Sequence, residues 1–139
     1  MRSKGKSPAK VLFDTNLLMA VFERPVNVIE RVEELLETKV RPVILRLQLQ
    51  ELERIASSKK RQKAARIAST VLEYVKKRAF EVFEGGEGAV DDAIVEVSKR
   101  EGYIVATNDR ELRRRLRKEG ISVVYMKGDG KIELEGYQP

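Results

Sequence analysis

Four acidic side chains stand where the chain gives a carboxylate an unusual setting. Asp14 follows Val11-Leu12-Phe13, an apolar run without polar alternation, so it leaves a strand that reads as buried on both faces. Asp109 closes a similar run in YIVATND, residues 103 to 109. Asp92, beside Asp91, opens a helical segment just after the Gly-rich break GGEG. Glu51 lies early in the helical stretch that follows RPVILRL, residues 41 to 47. A carboxylate at the exit of a buried strand loses several kcal/mol of hydration unless something replaces it. Four of them in one crevice raise one another's pKa values unless a cation neutralises them. Hard divalent ions such as Mg²⁺ or Mn²⁺ take oxygen ligands and keep several waters. The chemistry of such a site is phosphoryl transfer to water, in which the ion activates the water and stabilises the attacking and leaving oxygens.

Each acid also has a plainer explanation. Asp91 and Asp92 complement the dipole at a helix start. Asp109 or Asn108 caps the basic helix that follows. Glu51 is a solvated neighbour of an apolar stripe that includes Ile55, four residues on. Asp14 resists this treatment best, because a cap needs no strand as apolar as Val11-Leu12-Phe13 before it.

The composition narrows the chemistry further. Among the 139 residues there is no histidine, cysteine or tryptophan. Disulfides, Cys/His zinc and Cys- or His-based nucleophiles are thereby excluded. Lys and Arg number 28 against 22 Asp and Glu, a balance of +6 that favours a polyanionic partner. No apolar run approaches the roughly 18 residues that span a bilayer. The opening MRSKGKSPAK is basic without a hydrophobic signal core, so residues 1–10 read as a flexible arm on a cytoplasmic protein with no membrane partner. Residues 11–139 read as a single domain with a short C-terminal tail.

The elements that must position the acids alternate in type. A strand at 11–13 leads into a helix from Leu17. Asn27 is placed to cap VIERVEELLET, whose Ile29, Val32, Leu35 and Leu36 share a face. RPVILRL is a strand, LQLQELERIASS a helix, and residues 61 to 78 a long amphipathic helix with Ala64, Ile67, Ala68, Val71 and Val75 in its stripe. AFEVFE (79–84) reads as a half-exposed strand, and VDDAIVEVSKREG as a helix closed by Gly102. YIVATND, RELRRRLRKEG and ISVVYM supply a strand, a basic helix and a last core strand, and KGDGKIELEG reads as a Gly-Asp-Gly turn with a small edge strand. Strands alternating with helices indicate an α/β sandwich with a mainly parallel sheet. In such folds ligands sit beyond the carboxyl ends of the strands, where strand order reverses. That rule brings Asp14 and Asp109 to one crevice if their strands are neighbours.

FDTN (13–16), QELERI (50–55), VDDAI (90–94) and ATNDREL (106–112) resemble, in order and spacing, the acidic motifs of PIN-domain nucleases. The resemblance covers about residues 11 to 126. It implies a PIN-like three-layer sandwich, a five-stranded parallel sheet in order 3-2-1-4-5 with helices on both faces. It implies also an Mg²⁺- or Mn²⁺-dependent endoribonuclease whose catalytic and metal-binding quartet is Asp14, Glu51, Asp92 and Asp109. Asp91 is an additional carboxylate for the metal. Adjacent helical residues point about 100° apart, so Asp91 and Asp92 do not serve equally, and Asp92 is the favoured ligand. Thr15, Asn16, Thr107 and Asn108 are the supporting polar residues that would orient carboxylates or water.

The segment from VDDAI to VVYM is similar to archaeal stand-alone PIN proteins and to the PIN nuclease of the small-subunit processome. That similarity implies ribosomal RNA maturation on a precursor RNA, with a ribosome-assembly factor as partner. VapC-type toxins share the quartet, and their likeness implies instead a toxin ribonuclease paired with an antitoxin. Homodimerisation is a further implication of the family.

Basic residues cluster in SSKKRQKAAR (57–66), VKKR (75–78) and RELRRRLRK (110–118). Each cluster alone reads as a solvated helix face. Together with the net charge they suit an RNA backbone, and Lys59, Lys60, Arg61, Lys63, Arg110, Arg113, Arg114 and Arg115 are the candidate contacts. Four Phe and four Tyr are too few for a broad stacking platform, so RNA shape or an unpaired segment is the expected target. Two other functions compete. A phospho-acceptor receiver domain needs an Asp ending the third strand, and VFEGGEG offers none. A catalytically silent RNA-binding or assembly module does not explain why all four acids are kept.

Overall fold

The computed structural model describes residues 7–23 and 27–136. Residues 1–6 of the expected arm and 137–139 of the tail lie outside the described residues. The elements run β1 (Ala9–Phe13), α1 (Thr15–Glu23), α2 (Val28–Leu36), β2 (Val40–Leu45), α3 (Arg46–Ala56), α4 (Gln62–Lys77), β3 (Glu81–Phe83), α5 (Val90–Glu101), β4 (Ile104–Ala106), α6 (Arg110–Lys118), β5 (Val123–Met126) and β6 (Ile132–Glu135). They form one six-stranded sheet in the order β3-β2-β1-β4-β5-β6. The first five strands are parallel, as expected from the alternating pattern. The sixth is the edge strand after the Gly-Asp-Gly turn, and it runs antiparallel to β5.

The unalternating apolar runs have a direct physical consequence. Val11 and Phe13 face one core, with α1 to α4; Leu12 faces the other, with α5 and α6. All three are fully buried, since helices cover both faces of the parallel sheet. Phe13 meets the Phe80 ring at 5.7 Å, and Phe80 meets Tyr74 at 5.9 Å. Such tilted pairs add about 0.5–1.5 kcal/mol each beyond their buried area, and here they hold the end of α4 against the first strand.

Several boundaries differ from the sequence reading. β1 begins at Ala9, two residues before the apolar run, because Ala9 and Lys10 already pair with Val40 and Arg41. β3 starts at Glu81 rather than at 79: Ala79 adopts φ 52°, and this turn leaves the preceding helix. Asn27 stands before α2 but its side chain makes no capping bond; its backbone carbonyl accepts from Arg31 N at 2.9 Å instead. Gly102 does close α5 in the left-handed conformation, at φ 77°. Among the described residues no helix is long and apolar enough to cross a membrane.

Strand order reverses at β1, whose neighbours are β2 on one side and β4 on the other. The pairing of Phe13 with Ala106 puts Asp14 and Thr107 side by side just beyond the sheet. That juxtaposition frames the site.

Candidate active site

Asp14 is the centre of the arrangement. It is only 4% exposed, and its backbone N–H donates to Ala106 O at 2.9 Å, so β1 and β4 stay joined up to their last residues. Its carbonyl accepts Leu18 N at 3.1 Å and starts α1. The side chain takes a hydrogen bond from the Asn16 backbone N–H. Asp14 is therefore a helix cap and a buried acid at once, and the two readings of the sequence do not compete. Burial pushes its carboxyl up from 3.8 to about 6; the Thr107 hydroxyl opposes the rise, while the charges of Asp91 and Asp109 add to it.

Thr107 is wholly buried and links two acids. Its Oγ1 donates to Asp14 Oδ2 at 2.7 Å and accepts the Asp109 N–H at 3.0 Å. Asp109 in turn caps α6, with Oδ1 accepting Leu112 N at 3.0 Å. The capping bond leaves its second carboxylate oxygen available, and its charge acts on both Asp14 and Asp91.

Asp91 and Asp92 open α5 and diverge as helical geometry requires. The Asp92 carboxylate turns to Arg115 of α6, with Oδ1 at 2.7 Å from Nη2. Asp91 faces the other acids. Partial burial raises its pKa first, Asp109 and Asp92 raise it further, and Arg115 holds it back. The approach of the Gly-rich loop to α5 is close: a Cβ on Gly86, at φ 102°, would sit 3.3 Å from that of Ala93.

Glu51 is half-buried in the second turn of α3. Gln48, one turn earlier and on the same face, shows which way that face looks. It is fully buried, and its Nε2 donates to Phe13 O at 2.9 Å and to Thr15 Oγ1 at 3.2 Å. Its Oε1 accepts Leu45 N at 2.8 Å. Gln48 thus ties the ends of β1 and β2 together beside Asp14. The sequence reading passed over it, although a Gln three residues past a strand-to-helix junction is the type that reaches back to the N-terminal amides. Thr15 completes this knot. Asn108 points elsewhere, its Oδ1 accepting Met126 N at 2.8 Å and fastening β4 to β5.

The donor set is all oxygen: carboxylates of Asp14, Asp91 and Asp109 act on one another, whereas Glu51 is placed only by its position on α3, three residues past Gln48. Among the described residues no three acids are already drawn into a cage that could hold an ion unaided. Magnesium-type ions need none, since they bind through one or two carboxylates and retain water. Burial first, and neighbouring acids second, raise Asp14 and Asp91, and a cation would relieve both costs, so the residues fit a divalent ion in an open site.

The basic candidates fall in two places. Lys59, Lys60, Arg61 and Lys63 are exposed at the α3–α4 junction. Arg110, Arg113, Arg114 and Arg115 lie on α6; Arg114 pairs with Glu111 at 3.1 Å and Arg113 lies 3.5 Å from Glu135.

A parallel α/β sheet whose reversal point gathers carboxylates defines an α/β domain with an acidic crevice at its strand ends. The chain belongs to the PIN-like domain family, whose match spans residues 11–129. Ribonuclease VapC4 of Methanocaldococcus jannaschii is 32% identical over 128 residues, covering 91% of this chain and 97% of that protein. Ribonuclease VapC9 of Archaeoglobus fulgidus is 32% identical over 136 residues, covering 96% and 95%. The solved PIN domain endonuclease Utp24 superposes with a TM-score of 0.73 at 28% identity, over 94% of this chain and 93% of its own. A domain of a functionally unknown M. jannaschii protein shares the fold at TM-score 0.62 and 20% identity.

Proposed function

We propose that the chain is an Mg²⁺- or Mn²⁺-dependent endoribonuclease working in the cytoplasm on a ribosomal RNA precursor. The observation that carries the reading is electrostatic: at the point of strand reversal Asp14 is held above its ordinary pKa by burial and by the charges of Asp91 and Asp109, and Asp91 by burial and by the charges of Asp109 and Asp92. Asp14, Asp91 and Asp109 would hold the ion, with Glu51 reaching it directly or through water. Asp91 takes the place for which the sequence favoured Asp92, because Asp92 is committed to Arg115. When bound, the ion supplies an activated water and neutralises charge on the phosphate. Thr107 fixes the rotamer of Asp14 and the position of Asp109, and Gln48 keeps the β1 and β2 ends from parting. Basic side chains of α6 and of the α3–α4 junction would draw in the RNA backbone.

The likeness of the motif order to the small-subunit processome nuclease supports the ribosomal substrate. A second reading, a VapC-type toxin with an antitoxin partner, is favoured by the two 32%-identical VapC relatives. Incubation with structured RNA, precursor ribosomal RNA included, in Mn²⁺, Mg²⁺ or EDTA separates them. Metal-dependent cutting at one precursor site, lost in Asp14→Asn and Asp91→Asn, is the expected result. A neighbouring antitoxin gene, with no specific cutting at a precursor site, favours the toxin. Cleavage indifferent to chelation and to both substitutions refutes the nuclease altogether.

A further inference from the structure

Beside the acids, at the carboxyl ends of β4 and β5, lies a hollow of about 350 Å³ that the site described above does not use. Asn108, Arg110, Arg113, Tyr125 and Lys127 line it, and no acidic side chain does so among the described residues. It adjoins a second basic hollow of about 580 Å³ along α6, with Arg110 and Arg113 common to both. The smaller one has a built floor. The Arg113 guanidinium lies 4.1 Å from the centre of the Tyr125 ring, and the Tyr125 hydroxyl is anchored on Glu133 at 2.9 Å. The outer face of a guanidinium backed by an aromatic ring is a plane on which an unpaired base stacks. Two cations stand around it. Arg110 has no ion-pair partner among the described residues, and Lys127 is held only by an exposed contact of 3.4 Å to Glu133. An arginine in the first turn of a helix opposes the macrodipole, so the stability of α6 does not account for Arg110.

We propose that this hollow is a nucleotide subsite for an unpaired RNA segment next to the bond that is cut: the base lies on Arg113 over Tyr125, and Arg110 and Lys127 hold the flanking phosphates. The proposal rests on the endoribonuclease reading and assigns the side chains of this chain that would receive an unpaired nucleotide. A paired base stays in its stack and has no exposed face to offer the plane. The strand accordingly leaves the acids over β5 and α6, and the Lys59–Lys63 cluster lies off this subsite.

The test measures binding without cleavage. In an Asp14→Asn background, fluorescence anisotropy follows an unstructured RNA oligonucleotide and a matched blunt RNA duplex across a salt series. Tyr125→Ala is expected to weaken the single strand roughly tenfold and to leave the duplex within about twofold. Tyr125→Phe keeps the ring and is expected to retain the affinity, which separates stacking from folding. Arg110→Gln and Lys127→Gln are each expected to lower the salt slope by about 0.7, the loss of one phosphate contact on a single strand. Unchanged slopes, or equal losses on both RNAs, overturn the subsite. Cleavage by the wild-type chain is measured in parallel. Metal-dependent cutting with unchanged binding slopes overturns the subsite alone; the expected binding pattern with no cutting upholds it and counts against the nuclease.

Discussion

The amino ends of the strands and the point of strand reversal treat charge in opposite ways. At the amino ends of the strands, acids find partners. Glu30 meets Arg78 at 2.8 Å, Glu81 meets Lys10 at 3.3 Å, and Glu33 accepts Val40 N at 2.9 Å. The guanidinium of Arg78 keeps the Glu30 carboxyl below its usual range. At the carboxyl ends around β1 and β4, Asp14 and Asp91 are raised by burial and by neighbouring acids. The amino rim is relaxed, whereas the reversal point holds unfavourable charge that folding alone does not repay, even though Glu84 with Arg46 and Asp92 with Arg115 are paired on the same rim. Frustrated charge at the point of strand reversal is what a site for an external cation and a polyanion requires.

Four perturbations test that contrast, beginning with the largest. Loss of residues that only orient metal ligands costs about 10–100-fold, so Asp14→Asn and Asp91→Asn are each expected to lower cleavage by more than about 100-fold. Asp92→Asn, which breaks an exposed pair, is expected to stay within about tenfold. Rates under single-turnover conditions decide, and an Asp92 effect exceeding that of Asp91 reverses the assignment.

The second perturbation concerns stability and pH. Asp14 has a folded value near 6 against an ordinary 3.8, so the folded state holds the proton more tightly. The metal-free protein therefore loses stability as pH rises from about 4 to about 6 and stays at the lower level beyond. The full shift corresponds to about 3 kcal/mol. Asp14→Asn is expected to recover much of this at pH 8 in EDTA and little at pH 4, measured by urea denaturation. Added Mg²⁺ or Mn²⁺ is expected to raise the wild-type melting temperature more at pH 8 than at pH 5, because protons and the ion compete for the same carboxylates.

Third, Thr107→Val removes one hydroxyl and leaves both Asp14 Oδ2 and the Asp109 N–H without their bond. A loss of about 1–3 kcal/mol is expected, accompanied by weaker metal binding in a calorimetric titration. A change in stability with metal affinity intact would make Thr107 structural only. The smallest effect belongs to the relaxed rim. Glu30→Gln breaks an exposed ion pair and is expected to change stability by no more than about 1 kcal/mol, with cleavage unchanged.

Much of this architecture is legible in the residue order. Val11-Leu12-Phe13 admits no solvent face, which demanded helices on both sides of the sheet and made Asp14 conspicuous. The absence of histidine and cysteine left oxygen as the only donor chemistry. The alternation of strands and helices made the sheet parallel, and the family motifs carried its order. Where the sequence misplaced something, the causes differ. Asn27 lacks the capping bond that its type suggested, and the strand expected from Ala79 gives way to a positive φ there. Gln48 went unnoticed because polarity in a helix suggests exposure, whereas two groups distant in the chain, Phe13 O and Thr15, together with the local Leu45 N–H, make it a core residue.

What the chain determines by itself is which elements form and which side chains stand at their ends, because backbone propensity, hydrophobic period and capping are local. Which acids act on one another is not local. Helical geometry says that Asp91 and Asp92 point apart, and the sequence favoured Asp92 as the ligand; only when α6 folds across the sheet does Arg115 reach Asp92 and leave Asp91 facing Asp109. Coulomb energy and desolvation depend on distances through space, and tertiary packing alone sets those distances.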